Sequence, residues 1–421
     1  MMKKILFFVL STYTFSMQAQ QHKSVLFLGN SYTQYNELPE LTSQLAESAG
    51  DTLDVSFNYP GGTTLQYHSS NAVSQALIAE GGWDFVVLQE QSQLPSFPLQ
   101  DVESDCFPYA ALLNEQILEA NPCAETMYYM TWGRENGDAG NCDFWPPVCT
   151  YEGMDDLLKE RYLAMAEMND GVVAPVGAVR RFIRENFPDI QLYAGDGSHP
   201  SMVGSYVAAV CFYTCIFRRD PQLITMDYGI DDSEETIVKQ VVHDLVYNAQ
   251  SDWYITAYDP IASMEIENSS GSTFVFTNTS LNADEFIFYN STIGTSEPLE
   301  SPSIEITFPE LPEYDVCLTA IKCDLESTVC YHFVNGVLTT KEMNSPSFVI
   351  YPNPTSDVLN VDVGNWDDNF QMRIIDGAGK SILNGTFKNR TSLDISGYAQ
   401  GFYFVEIKFG NQVSRTKLAK N

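Results

Sequence analysis

The sequence predicts a parallel, doubly wound α/β domain followed by two small all-β domains, and three observations carry that prediction. Over residues 22–250, five short apolar runs alternate with helix-like segments, the pattern of a parallel sheet with crossover helices. After Trp253 the helical periodicity stops, and residues 260–340 alternate apolar and polar side chains between Asn, Ser, Gly and Pro, as short antiparallel strands do. A separate all-β unit of 75 residues, 347–421, opens with Phe348-Val349-Ile350-Tyr351-Pro352-Asn353-Pro354-Thr355 and closes through Gly401-Phe402-Tyr403-Phe404-Val405.

The elements follow in order. Strands are expected at Val25–Leu28, Leu53–Phe57, Phe85–Gln89, Thr126–Thr131 and Val172–Pro175, with helices at Leu38–Ala49, Ala72–Ala79, Tyr109–Ala120, Met154–Met168 and Val179–Asn186. Val203–Phe217 is the most apolar later stretch, but Ser205, Tyr206, Tyr213 and Thr214 interrupt it and it is too short to span a bilayer. It reads as a buried helix. In the second domain the strand runs are Thr273–Phe276, Phe286–Tyr289, Ile304–Phe308 and Tyr314–Leu318. The expected organisation is a signal peptide at 1–20, an α/β domain at 21–252, a β-sandwich at 253–340, a linker at 341–346 and a terminal β domain at 347–421. Lys3 and Lys4 ahead of the apolar run Ile5–Leu10, with small or polar residues around Ala19, are the marks of the signal peptide.

Composition narrows the partners. With 22 basic and 55 acidic residues the net charge is −33, and such a surface repels phosphate backbones, so nucleic acid is not an expected partner. Export permits disulfides among the nine cysteines. Cys142 and Cys149, in a loop rich in Gly, Asp and Pro, form the first expected pair, and Cys323–Cys330 the second. Cys106 and Cys123 flank a helix-like segment whose length, about 25 Å, is beyond disulfide reach. Cys211 and Cys215 are expected as buried thiols. No Cys-x-x-Cys pair or His cluster suggests a metal, and no cofactor is expected.

Two strings carry the chemistry. Gly29-Asn30-Ser31-Tyr32-Thr33 follows an apolar strand and precedes a helix; Asp196-Gly197-Ser198-His199-Pro200 places an acid three residues before a histidine. A hydroxyl, an imidazole to take its proton and a carboxylate to hold the imidazole are the parts of a nucleophilic hydrolase. Ser31 in such a turn also has a purely structural use as a helix cap. Ser31, Gly61-Gly62, Gln89 and Trp132 all fall just past strand ends, where open parallel sheets bind ligands.

These strings resemble the SGNH (GDSL-like) hydrolase superfamily over roughly residues 22–250. The resemblance implies a flavodoxin-like, three-layer fold and ester hydrolysis, with Ser31 as nucleophile, His199 as base and Asp196 as its orienting acid. It further implies an oxyanion hole built from the backbone N–H groups of Ser31 and of Gly61 or Gly62. Where the family carries Gly-x-Asn-Asp, this chain has Leu88-Gln89-Glu90-Gln91, so the third donor is expected from the amide of Gln89 or Gln91. Asn30, His68 and Trp132 are the candidate substrate contacts, Trp132 by stacking on a sugar ring. The C-terminal unit resembles the type A sorting domain of the type IX secretion system of Bacteroidetes, through Tyr351-Pro352-Asn353-Pro354-Thr355, Gly377-Ala378-Gly379-Lys380, Leu393-Asp394-Ile395-Ser396 and Gly401-Phe402-Tyr403. It implies the type IX machinery as a partner and a secreted or surface location; the middle domain is similar to PKD- or immunoglobulin-type modules. The expected substrate is an ester, foremost an O-acetylated glycan. A lipase or phospholipase and a catalytically inactive glycan-binding protein are the alternatives.

Overall fold

The computed structural model describes residues 20–291 without a break, and beyond them 294–295, 302–308, 313–334, 337–339, 348–351, 355, 358–363, 369–376, 380–388, 391–409 and 412–420. The expected signal peptide up to residue 19, the linker at 341–346 and parts of the terminal motifs lie outside the described residues. The chain divides into two compact units, Met1–Ala257 and Tyr258–Asn421.

The first unit runs β1 (His22–Leu28), α1 (Ser31–Gln34), α2 (Leu38–Ser48), β2 (Thr52–Asn58), α3 (Leu65–His68), α4 (Ala72–Glu80), β3 (Phe85–Leu88), α5 (Leu99–Asp105), α6 (Phe107–Ala120), β4 (Glu125–Tyr129), α7 (Tyr151–Met168), β5 (Val172–Ala174), α8 (Val176–Asn186), α9 (Met202–Phe217) and α10 (Asp232–Leu245). The strands form one parallel sheet in the order β2-β1-β3-β4-β5, a flavodoxin-like order. Right-handed crossovers then dictate the layers. The step from β1 to β2 runs opposite to the later steps, so α2 lies on one face and α4, α6 and α7 on the other. The packing agrees: α2, α8 and α10 touch α9, while α6 touches α4 and α7.

Covered on both faces, the central strands have no polar side to present, and Val25–Leu28 and Phe85–Leu88 are buried throughout, whereas the edge strand β2 alternates and keeps Asp54 exposed. Burial on both faces is why the sequence shows continuous apolar runs in those central strands rather than alternation. Helix α9 is buried from Val203 to Phe217. Ser201 caps it, its Oγ accepting from the Gly204 N–H at 3.0 Å, so the residues just before it are anchored to the core.

In the second unit, β6 (Met264–Ser270), β7 (Thr273–Asn278), β8 (Glu285–Asn290), β9 (Gly294–Thr295), β10 (Ser303–Thr307), β11 (Glu313–Lys322), β12 (Leu325–Val334) and β13 (Val337–Thr339) make two antiparallel sheets, β10-β7-β6 and β13-β12-β11-β8-β9. Both contribute to one core, with Phe274 and Phe276 from one sheet and Phe288, Val316 and Phe333 from the other. Then β14 (Val349–Tyr351), β15 (Val358–Asp362), β16 (Asn369–Asp376), β17 (Ser381–Lys388), β18 (Thr391–Asp394), β19 (Gly401–Phe409) and β20 (Gln412–Lys420) make sheets β14-β15-β18 and β17-β16-β19-β20 around Leu359, Ile374, Val405 and Leu418.

The Cys142–Cys149 disulfide is present, and Cys106, Cys211 and Cys215 are buried free thiols. The second expected pair is corrected: Cys330 bonds Cys317, not Cys323. Cys317 and Cys330 are direct cross-strand partners on β11 and β12, where opposing Cβ atoms lie about 4.5–5.5 Å apart. Cys323 sits in the hairpin turn, and seven residues of extended chain put it roughly 23 Å from Cys330. Peptide mapping without reduction is expected to recover Cys317 linked to Cys330, and Cys317→Ala to cost the second unit about 2–3 kcal/mol in urea unfolding. A Cys323–Cys330 peptide would contradict the register.

Candidate active site

Ser31 opens α1 directly after β1, at the carboxyl edge of the sheet. The helix cap is Asn30, whose Oδ1 accepts from the Tyr32 N–H at 3.1 Å. The Ser31 hydroxyl is therefore free of capping duty. Its Oγ lies 2.9 Å from Nε2 of His199. On the other side of the imidazole, Nδ1 lies 2.6 Å from Oδ2 of Asp196. The second carboxylate oxygen accepts the backbone N–H groups of Ser198 and His199, each at 3.0 Å. Partial burial pushes the Asp196 carboxyl up, and the hydrogen bonds from His199 and Ser198 outweigh it, bringing its pKa down to about 2. Asp196 is thus an anion at neutral pH that fixes Nδ1–H on the imidazole and leaves Nε2 to accept a proton from Ser31.

The turn that carries Ser31 is held by a buried seam. Gln89 Oε1 accepts from the Asn30 N–H and from Thr33 Oγ1, both at 2.9 Å, and Gln89 Nε2 donates to Asn30 Oδ1 at 2.9 Å and to the Glu90 carbonyl at 2.6 Å. A Cβ on Gly29 would meet Thr33 Oγ1 at 2.3 Å and Gln89 Oε1 at 2.8 Å, so only glycine fits between strand and seam. His68 supports the same turn from below. It is fully buried, with Nε2 2.9 Å from the Gly29 carbonyl and Nδ1 2.8 Å from Ser74 Oγ. Burial lowers its pKa to about 4 against the opposing pull of the Gly29 carbonyl, so it is a neutral imidazole at pH 7.

These contacts reassign several expected site residues. Both N–H groups of the Gln89 amide are spent inside the seam, so it has no donor left for an oxyanion. Gln91 Nε2 donates once, to Gln93 Oε1 at 3.1 Å, and keeps its second N–H. Asn30 and His68 are buried supports rather than substrate contacts. Trp132 has no exposed surface: Tyr32 stacks on its ring at 4.7 Å and the Arg180 guanidinium lies 3.8 Å from its centroid, while its Nε1–H donates to the Ser198 carbonyl. A ring covered on both faces offers nothing to a sugar.

The Gly61-Gly62 turn sits next to Ser31 through Thr63, whose carbonyl accepts from Asn30 Nδ2 at 3.0 Å and whose Oγ1 donates to the Gly29 carbonyl at 3.0 Å. Gly62 has φ +71, a conformation that favours glycine. Among the described residues neither glycine N–H donates to a protein acceptor. The Ser31 N–H, at the first position of a helix, has no intrahelical acceptor either.

Sequence reasoning did not single out Tyr35 and Asn36. The Tyr35 ring stacks on the His199 imidazole, centroids 4.7 Å apart and planes 21° off parallel. Asn36 and Glu37 both adopt left-handed backbone, φ 55 and 52. Asn36 Nδ2 donates to the Ser201 carbonyl at 3.2 Å and to Ser205 Oγ at 2.9 Å, clamping the nucleophile turn to the start of α9. An Asn-Glu pair after a helix-like run carries only a weak turn signal. The loop after β4 is likewise tied to the site: buried Asp138 receives Gln93 Nε2 at 2.6 Å, Asn141 Nδ2 at 2.7 Å and Arg134 at 3.0 Å. Glu90, beneath the seam, is fully buried and accepts from the Leu65 and Gln91 N–H groups; burial outweighs these bonds and raises its pKa to about 8. Among the described residues no group of acids, histidines and cysteines is arranged to hold a metal ion.

Two outcomes follow from this packing. Gly29→Ala is expected to destabilise the first unit by about 1–3 kcal/mol, since the added methyl must displace a hydrogen-bonded seam, and to reduce reaction of Ser31 with a phosphonate probe. The pH dependence has a definite sign. Glu90 is protonated in the fold but ionises in the unfolded chain above its ordinary range, so stability falls as pH rises from 4.5 towards 8. His68 acts oppositely, losing stability as pH falls from 6.5 towards 4. Between 4.5 and 6.5 the two offset each other. Melting temperature is therefore expected to decline from pH 6.5 to 8, and Glu90→Gln to flatten that decline; an unchanged slope would count against a protonated Glu90.

Residues 349–421 match the family model described as Secretion system C-terminal sorting domain. No curated protein matches the sequence. Among solved structures, the chain is similar to a DUF4886 family protein from Bacteroides uniformis (19% identity, covering 53% of this chain and 95% of that one, TM-score 0.46). It is similar to a candidate SGNH hydrolase from Slackia heliotrinireducens (29% identity, 46% and 97%, TM-score 0.39). It is also similar to Est24, a carbohydrate acetylesterase from Sinorhizobium meliloti (15% identity, 47% and 97%, TM-score 0.32).

Proposed function

We propose that the chain is an exported serine ester hydrolase that removes short acyl groups, foremost O-acetyl, from a glycan. The observation that carries this is the unbroken line from Asp196 Oδ2 through His199 to Ser31 Oγ, with contacts of 2.6 and 2.9 Å. His199 Nε2 takes the Ser31 proton as Oγ attacks the ester carbonyl, and Asp196 stabilises the imidazolium that forms. The developing oxyanion is received by the Ser31 N–H and a Gly61 or Gly62 N–H, with the spare amide N–H of Gln91 as the third donor. Such preorganised donors are worth about 3–4 kcal/mol each. His199 then gives its proton to the leaving alcohol, and water hydrolyses the acyl-enzyme by the same route in reverse.

The polar turns that carry Ser31 and His199 support a short acyl group over a long alkyl chain: Tyr32 Oη lies 2.7 Å from Ser198 Oγ, next to His199, and Thr63 Oγ1 donates to the Gly29 carbonyl, two residues before Ser31. The sorting-domain match at 349–421 supports work outside the cell, with export through the type IX machinery.

Hydrolysis of p-nitrophenyl acetate, butyrate and octanoate by the full chain is the direct test. Acetate is expected to be the best substrate, and Ser31→Ala or His199→Ala to lower kcat by on the order of 10³-fold or more. A preference for octanoate would point to a lipase. Equal rates for the chain and Ser31→Ala would leave a glycan-binding protein.

A further inference from the structure

The leaving alcohol of an ester attacked by Ser31 must sit against His199, because Nε2 delivers the proton to it. What borders His199 on its open side therefore decides which alcohols are accepted. Two aromatic rings touch the imidazole. Tyr32 meets it edge-on, 5.4 Å away at 66°, and is itself buried with its hydroxyl on Ser198. Tyr35 lies nearly parallel to it at 4.7 Å and remains 39% exposed. Trp132, by contrast, is covered on both faces. Tyr35 is thus the aromatic surface that is in contact with the base and open to solvent.

The ring is also held in place before any substrate arrives. The Tyr35 N–H donates to the Ser31 carbonyl, and the following residues Asn36 and Glu37 are both left-handed. That costly backbone persists only where its surroundings over-determine it, and here the Asn36 amide supplies the constraint through Ser201 and Ser205. Two strained residues and a side-chain clamp fix the one ring that overlies the base.

Resting on the esterase reading above, we infer that Tyr35 is the platform for the leaving group and that this group is a pyranose ring. The face of an aromatic ring is electron-rich. A pyranose presents a flat patch of weakly positive C–H groups to such a face, while its hydroxyls point outward to the polar rim. Tyr35 is then the specificity-determining residue of the alcohol side, binding the sugar whose acetyl group lies over Ser31.

The test compares the full chain, Tyr35→Phe and Tyr35→Ala on ethyl acetate, on phenyl acetate and on methyl pyranosides carrying one O-acetyl group (xylo, manno and gluco series). Tyr35→Ala is expected to lower kcat/KM on the best pyranoside about tenfold more than on ethyl acetate, chiefly through KM, and Tyr35→Phe to retain most of it. An equal loss on both, or none, would overturn the inference, the first showing a ring that merely props His199. A selective loss confined to phenyl acetate would overturn it too, as would Ser31-dependent turnover of ethyl acetate with no pyranoside accepted. Should none of these esters be hydrolysed, the esterase reading fails separately, and binding decides. Calorimetric titration of Ser31→Ala with unacetylated xylotetraose, mannotetraose and cellotetraose is expected to give binding that Tyr35→Ala in the same background weakens; no binding, or equal binding, overturns the platform.

Discussion

The hydrogen-bonded seam between Gln89 and the Gly29–Asn30 turn is the constraint on which the site depends. The sheet delivers β1 and β3 side by side, with the Gln89 N–H continuing the ladder onto the Leu28 carbonyl at 2.9 Å. The Gln89 amide then closes on Asn30 with two bonds, one in each direction. A buried amide must satisfy its donors and acceptors, and this one does so by specifying where Asn30 sits. Asn30 in turn caps α1, and that leaves the Ser31 hydroxyl uncommitted.

Where the hydrolases that this domain resembles carry an asparagine, this chain has a glutamine that works inward. The longer side chain reaches the nucleophile turn and spends its whole amide there. The proposed oxyanion hole therefore draws on backbone groups and on Gln91, two residues on. The same logic explains His68, whose imidazole is neutral because burial disfavours the charged form and whose Nε2–H meets the Gly29 carbonyl. Residue types suited to catalysis are used as struts, while Ser31 lies on the turn they support.

His199 is fixed from a different direction. Asp196, Ser198 and His199 form a tight turn closed by two N–H bonds to one carboxylate oxygen, and α9 follows at once into the core. The turn cannot drift far from a helix buried along fifteen residues, Val203–Phe217. Asn36 joins the two halves, so Ser31 and His199 are registered by a contact near the site as well as by the sheet.

The parallel α/β unit was legible in the sequence because central strands buried on both faces must be continuously apolar and short, and the edge strand β2 still alternates in strand fashion; all five fall at the expected places. Ser31, His199 and Asp196 were legible because strand-turn-helix and acid-x-x-His patterns encode local geometry. The pairing of Cys330 was not, since hairpin register decides it and only the paired strands reveal which cysteines face each other. Nor were the duties of Gln89, Trp132 and Tyr35. Whether an amide or an aromatic ring faces a substrate or a neighbour depends on what packs against it from distant segments: Asn30 for Gln89, Tyr32 and Arg180 for Trp132, His199 for Tyr35. Sequence by itself determined the elements and the candidate Ser31, His199 and Asp196, because those follow from local pattern; burial and long-range contacts, which only the tertiary structure supplies, decided which side chains hold the site together and which one it exposes.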